Sequence, residues 1–146
     1  SWGPRSWQAI AWYRWLPMAF GEDFAMMISL ISADGVTAAG GGMVLHGDDY
    51  HLIRQVSVES DWDDDWYQTS LRATVSTDQR SYEVTGDVRS LIPLRNRRTT
   101  PAGDVLTTRI TEGLTKYQCD GKIGWGLSEY LDQLVTGIPA GADVPV

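Results

Sequence analysis

The most chemically suggestive feature of this chain is a carboxylate set among apolar residues at strand spacing. From Ile123 to Leu131, alternation puts Ile123, Trp125, Leu127, Glu129 and Leu131 on one face. Gly124, Gly126, Ser128 and Tyr130 fall on the other. Burying a carboxylate is costly unless it is paired, hydrogen-bonded or neutralised. Arg54 has a similar setting between Leu52 and Val56. If both point inward, two readings follow. One is a structural ion pair across the interior. The other is catalytic, with Glu129 a general acid or base in an apolar cavity and Arg54 its charge partner. Trp125 and Tyr130 would line that site.

Other candidates carry less. His46 and His51 flank a turn, which places both at a rim. Cys119 stands beside Asp120, a neighbour that does not favour a thiolate nucleophile. The Gly40-Gly41-Gly42 run has no Lys-Ser/Thr and opens no helix, so it is not a phosphate loop. Asp61-Trp62-Asp63-Asp64-Asp65 lacks the ligand spacing and glycine of a calcium loop and reads as a solvated acidic turn. Arg95, Arg97 and Arg98 form the one basic cluster, read as a solvated loop or a small-anion site.

Composition narrows the classes. The chain has 146 residues, 42% of them hydrophobic, enough for one domain with a true core. Its net charge is −7, from 12 basic and 19 acidic side chains. That balance opposes nucleic-acid binding, which needs clustered Lys and Arg. One cysteine excludes an internal disulfide framework and any multi-cysteine metal cluster, and two histidines make a histidine-rich metal centre a poor fit. No metal and no cofactor is expected. A reduced, cytoplasmic setting follows as the default. The longest apolar passage, 24–31, is interrupted by Ser29 and too short for a transmembrane segment, and no signal-peptide pattern precedes it. The opening Ser1-Trp2-Gly3-Pro4, without Met, reads as a fragment, a processed product or the second half of a longer protein.

The elements that must position Glu129 are strands. Residues 24–32, 36–46, 50–62, 66–77, 82–92, 105–119 and 122–131 alternate or carry β-forming residues, with turn signals between them. A longer loop is expected over 96–104. The start of the chain differs: Trp2, Trp7, Trp12 and Trp15 crowd it, and Ser6 is placed to cap a short helix that Pro17 ends. The expected architecture is all-β, an antiparallel up-and-down barrel of about seven or eight strands with an N-terminal aromatic plug or short helix. A β-sandwich is the alternative. The barrel domain would cover 1–136, with 1–22 as the plug and 137–146 as an irregular tail.

Two stretches resemble a known group. Ser1-Trp2-Gly3-Pro4-Arg5-Ser6-Trp7 resembles the tryptophan–glycine segment of lipocalin-like two-barrel proteins, which include hydroxyneurosporene synthase, tocopherol cyclase and fungal Diels–Alderases. The segment from Cys119 to Gln133 is similar to the end of an uncharacterised bacterial branch of that group. The resemblance implies a lipocalin-like barrel, the C-terminal one of two. It also implies a hydrophobic, isoprenoid- or polyketide-like small molecule, acted on by metal-independent hydration, cyclisation or isomerisation. Trp2 would join Trp125 and Tyr130 at the ligand, with Glu129 and Arg54 catalytic. The acidic and histidine residues that usually precede the Trp–Gly pair are absent here. A non-catalytic carrier barrel, or a structural half-barrel facing a second barrel or another copy of itself, stand as the alternatives.

Overall fold

The computed structural model describes residues 7–142. Trp2, expected at the ligand, lies outside them. Strands run β1 (Trp12–Ala19), β2 (Phe24–Ser32), β3 (Ala39–His46), β4 (Asp49–Leu52), β5 (Gln55–Trp62), β6 (Gln68–Ser76), β7 (Ser81–Thr99), β8 (Val105–Cys119), β9 (Lys122–Val135) and β10 (Ile138–Pro139). All pairings are antiparallel, in the order β4-β3-β2-β1-β9-β8-β7-β6-β5, with β10 added to β9. Two meanders, β1–β4 and β5–β9, are thus joined where β9 returns to β1. The fold is the expected all-β, up-and-down sheet.

The ladder is open between β4 and β5, although these edge strands are neighbours in sequence. Ile53 and Arg54 form the corner: Ile53 donates its backbone N–H to Gly42 O at 3.0 Å, and Arg54 donates to Ser76 O at 2.7 Å. The chain leaves one ladder and enters the other within two residues. At Gly40, β3 approaches β5 so closely that a Cβ would sit 2.6 Å from Val56 Cβ. Glycine there lets the two sheet ends converge.

A hydrophobic core occupies the enclosed space. Leu16, Met18, Met26, Ile28, Val44, Leu71, Val75, Tyr82, Val84 and Tyr117 are all buried in one cluster. Each fully buried large aliphatic contributes about 1.5–3 kcal/mol. Phe24 stacks on Phe20 at 5.0 Å and tilts against Tyr82 at 5.8 Å, closing one end. The closed barrel of seven or eight strands that the sequence suggested is instead an open, barrel-like sheet of ten strands, wrapped around this buried cluster.

Three expectations about elements are corrected. The expected helix or plug is instead a 3-10 turn, Trp7–Ala9, followed by β1, a central strand. Tertiary pairing on both edges overrides the helical reading of an aromatic-rich stretch, and Pro17 is tolerated where β1 bonds β9 irregularly. The 50–62 strand is two strands, divided at the Ile53-Arg54 corner. The 96–104 loop shrinks, because β7 runs on to Thr99. Arg95, Arg97 and Arg98 therefore lie on a strand, not in a loop. A bulge between Val88 and Ser90 also shifts the register, so Leu91 and Pro93, not Ile92, continue the face of Tyr82 and Val84. Part of the expected irregular tail is held too, with Ile138 and Pro139 paired to β9. Among the described residues no helix is long and apolar enough to cross a membrane.

Burial has a measurable consequence at the single cysteine. Cys119 is buried, and desolvation pushes its thiol up to about 11 from 9.0, helped by the adjacent Asp120 carboxylate. The folded thiol holds its proton more tightly than the unfolded one. Its contribution to stability is therefore complete below pH 9.0 and is lost as pH rises toward about 11. Iodoacetamide at pH 8 should alkylate the native protein at least about 100-fold more slowly than the urea-unfolded chain. Equal rates would mean that the thiol is accessible.

Candidate functional site

Which face of β9 looks inward decides the site. Gly124, Ser128, Tyr130 and Asp132 are buried, while Trp125 is exposed and Leu127 and Glu129 are half-buried. From Ile123 to Glu129 the face assigned to the interior is the outer one; only at Leu131, paired with Ile110, is that face buried. Inward positions on β9 must be small where β1 and β8 press close. A Cβ on Gly124 would lie 2.6 Å from Ala19 O, and Gly124 stands opposite Tyr117, which with Tyr130 is among the bulkiest wholly buried side chains. Tyr117 then donates its hydroxyl to Leu127 O at 2.6 Å. Alternation shows which residues share a face; it does not show which face is covered.

The outer face is consequently apolar across several strands. Register places Leu114 beside Leu127, Pro17 beside Met27, Met27 beside Met43, and Met43 beside Leu52. The next row runs Trp125, Ala19, Ala25, Leu45, Tyr50. Pro17, Met27, Met43, Leu45, Trp125 and Leu127 line a groove of about 460 Å³ there. Glu129 lies one row away on this same face, directly opposite Glu112 on β8 and next to Trp15 on β1. Met side chains adapt to irregular apolar shapes, and a continuous exposed apolar patch marks a contact surface.

Inside, the polar chemistry gathers at the other parity. Arg14 and Asp132, each with 3% of its side chain exposed, form a two-pronged ion pair at 2.9 and 3.0 Å. Asp132 Oδ1 also accepts the Gly141 N–H at 2.8 Å. The guanidinium lies over the Tyr130 ring at 4.1 Å, the Trp12 ring at 5.0 Å and the Trp62 ring at 5.7 Å. Tyr130 Oη and Ser60 Oγ share a hydrogen bond at 2.6 Å.

Residues 1–134 match the family described as Domain of unknown function (DUF7064). The chain belongs to that family. No curated protein and no solved structure matches it. The match covers all but the last part of the DUF7064 chain described above, including every strand that builds the outer groove.

Against this geometry, the expected site of the DUF7064 domain divides. Glu129 and Trp125 share the outer face, and Trp125 lines the groove. Tyr130 belongs to the interior, where burial pushes its hydroxyl above the usual tyrosine range and the Arg14 charge opposes that shift. Arg54 is not a partner of Glu129. It is exposed at the corner and donates to Asp78 at 3.3 Å, because Ile53 takes the inward position and breaks the alternation. Sequence reasoning missed Arg14, Asp132 and Glu112. Asp132 follows Tyr130 at the same parity, so a correct choice of inner face would have found it. Arg14 was hidden by the helical reading of its segment. The acidic turn uses its charge locally, since Asp63 Oδ1 accepts the N–H groups of Asp65 and Tyr67, both at 2.9 Å.

Proposed function

We propose that this DUF7064 domain handles a hydrophobic small molecule, isoprenoid- or polyketide-like, on the outer face of β9, β1, β2 and β3. A binding or carrier role fits the geometry best. The observation behind it is the Met- and Trp-lined apolar groove left on the outer face, opposite the side that packs into the buried core. The resemblance to lipocalin-like two-barrel proteins adds a second barrel as the body that would roof this groove. Tryptophan fluorescence of the full chain, titrated with a C20 isoprenoid alcohol, is the direct test. Saturable quenching in the wild type, weakened about tenfold by Met27→Glu, is expected. No saturation, or equal affinity in Met27→Glu, defeats the reading.

A specific observation favours a second reading, acid–base chemistry on a carbon–carbon double bond. Glu129 is half-buried beside Trp15, with a second carboxylate, Glu112, directly across the ladder. Two carboxyl groups on one apolar face can divide proton delivery and proton removal between them. The reaction would be a hydration, cyclisation or isomerisation without a metal. Glu129→Gln should abolish turnover of a bound isoprenoid while leaving fluorescence quenching unchanged. Turnover that survives the substitution removes Glu129 from the mechanism.

A further inference from the structure

We infer that a second groove, between the β7–β8 hairpin and the turn before β6, is a binding site for a phosphate group. The groove encloses about 520 Å³ and is lined by Asp65, Tyr67, Arg95, Arg97, Arg109 and Leu134, among others. It lies on the inward parity of the sheet, away from the apolar outer groove, and depends on no step of the reading above.

Its construction is unusual for a purely structural cluster. Arg95 and Arg109 stand directly opposite each other in the β7–β8 ladder, and Arg97 projects from the same face two residues on. Like charges directly opposite destabilise a strand pair. Arg109 is also only 3% exposed. Its guanidinium donates to the backbone carbonyls of Asp65, at 3.1 Å, and of Trp66, and lies 4.3 Å over the Tyr67 ring. Arg95 Nη2 donates to Tyr67 Oη at 3.1 Å. These contacts orient two guanidiniums through neutral groups; the Asp132 and Asp63 carboxylates lie near enough to favour the Arg109 charge but form no ion pair with it. Among the described residues none of the three arginines makes a salt bridge. The carboxylate across the ladder from Arg109 is Asp132, already gripped by both prongs of Arg14.

Phosphate fits what remains. Guanidinium forks from adjacent strands match the tetrahedral oxygens of a phosphoryl group, and several donors can engage it at once. Net of the Asp65 carboxylate, the lining carries two positive charges, which suits a phosphate monoester carrying about −1.5 to −2. A single carboxylate would leave one guanidinium unmatched. The β7 bulge has a role here, since it returns Arg95 and Arg97 to the inward face beside Arg109.

Isothermal titration of the full chain at low ionic strength tests the site, with inorganic phosphate, diphosphate and glycerol 3-phosphate as probes. Saturable one-to-one binding of at least one probe is expected, and the strongest of the three separates free phosphate from an esterified group. Arg97→Gln, whose guanidinium makes no hydrogen bond among the described residues, should weaken binding about tenfold, and Arg95→Gln at least as much. Arg80→Gln removes a guanidinium that pairs with Asp120 at 3.0 Å before the far end of β7, and should leave affinity unchanged. No saturable heat with any probe overturns the proposal. So does an equal loss in Arg80→Gln, which would reduce the effect to general surface charge.

Discussion

Arg14→Ala should cost about 3–5 kcal/mol of folding stability, read as a fall in the urea midpoint at neutral pH. Arg14 and Asp132 are both withdrawn from water, and the alanine would leave a buried carboxylate whose remaining side-chain hydrogen bond among the described residues is the one from Gly141 N–H. The loss is not confined to charge. The guanidinium fills the space among Trp12, Trp62 and Tyr130, so its removal also opens a gap among three aromatic faces. A domain of this size has a total stability of roughly 5–15 kcal/mol, so the variant would be close to unfolding. Arg14→Met with Asp132→Leu separates the two contributions. Replacing both charges by apolar groups leaves none stranded, so the double variant should be more stable than Arg14→Ala. A loss below about 1 kcal/mol in Arg14→Ala would mean that the pair is solvated in solution.

That cluster also marks how far the sequence could be read. The all-β class, the antiparallel meander and most turns were legible, because alternation and Gly-Asp punctuation are local signals. Three things were not. Alternation in β9 grouped Trp125 with Glu129 and Tyr130 with Gly124 correctly, but the covered side is set by what β1 and β8 press against it. The corner at Ile53-Arg54 and the bulge at Val88/Ser90 each shift parity by a residue or so. A pattern carried through either point reverses inside and outside, and that reversal placed Arg54 in the core. Finally, an aromatic-rich segment beside Pro17 has helical and strand readings of similar merit, and only its pairing with β2 and β9 decides between them. That Glu129 and Trp125 share a face was legible, because both lie on one uninterrupted strand. Which side that face takes, and what stands opposite it, depended on contacts between strands distant in sequence.

The two faces of β9 should respond to substitution in opposite ways. Tyr130 is 1% exposed, under the Arg14 guanidinium, edge-on to Trp62 at 5.7 Å and bonded to Ser60. Tyr130→Ala should therefore lose about 3–5 kcal/mol, as expected for deleting a buried aromatic ring. Tyr130→Phe keeps the ring and loses only the Ser60 hydrogen bond, for about 1 kcal/mol. Trp125, at 49% exposure, packs against the groove from outside. Trp125→Ala should change stability by no more than about 1 kcal/mol while weakening binding of an isoprenoid probe about tenfold. Urea denaturation and a binding titration on the same three proteins distinguish the roles. If Tyr130→Phe loses ligand as strongly as Trp125→Ala, the ligand reaches the interior and the outer-face site is wrong. If Trp125→Ala loses stability instead of binding, the apolar face is held by the fold rather than offered to a ligand. The expected pattern, stability at Tyr130 and binding at Trp125, follows from the burial along β9: Tyr130 is enclosed, while Trp125 stays at the surface beside the groove.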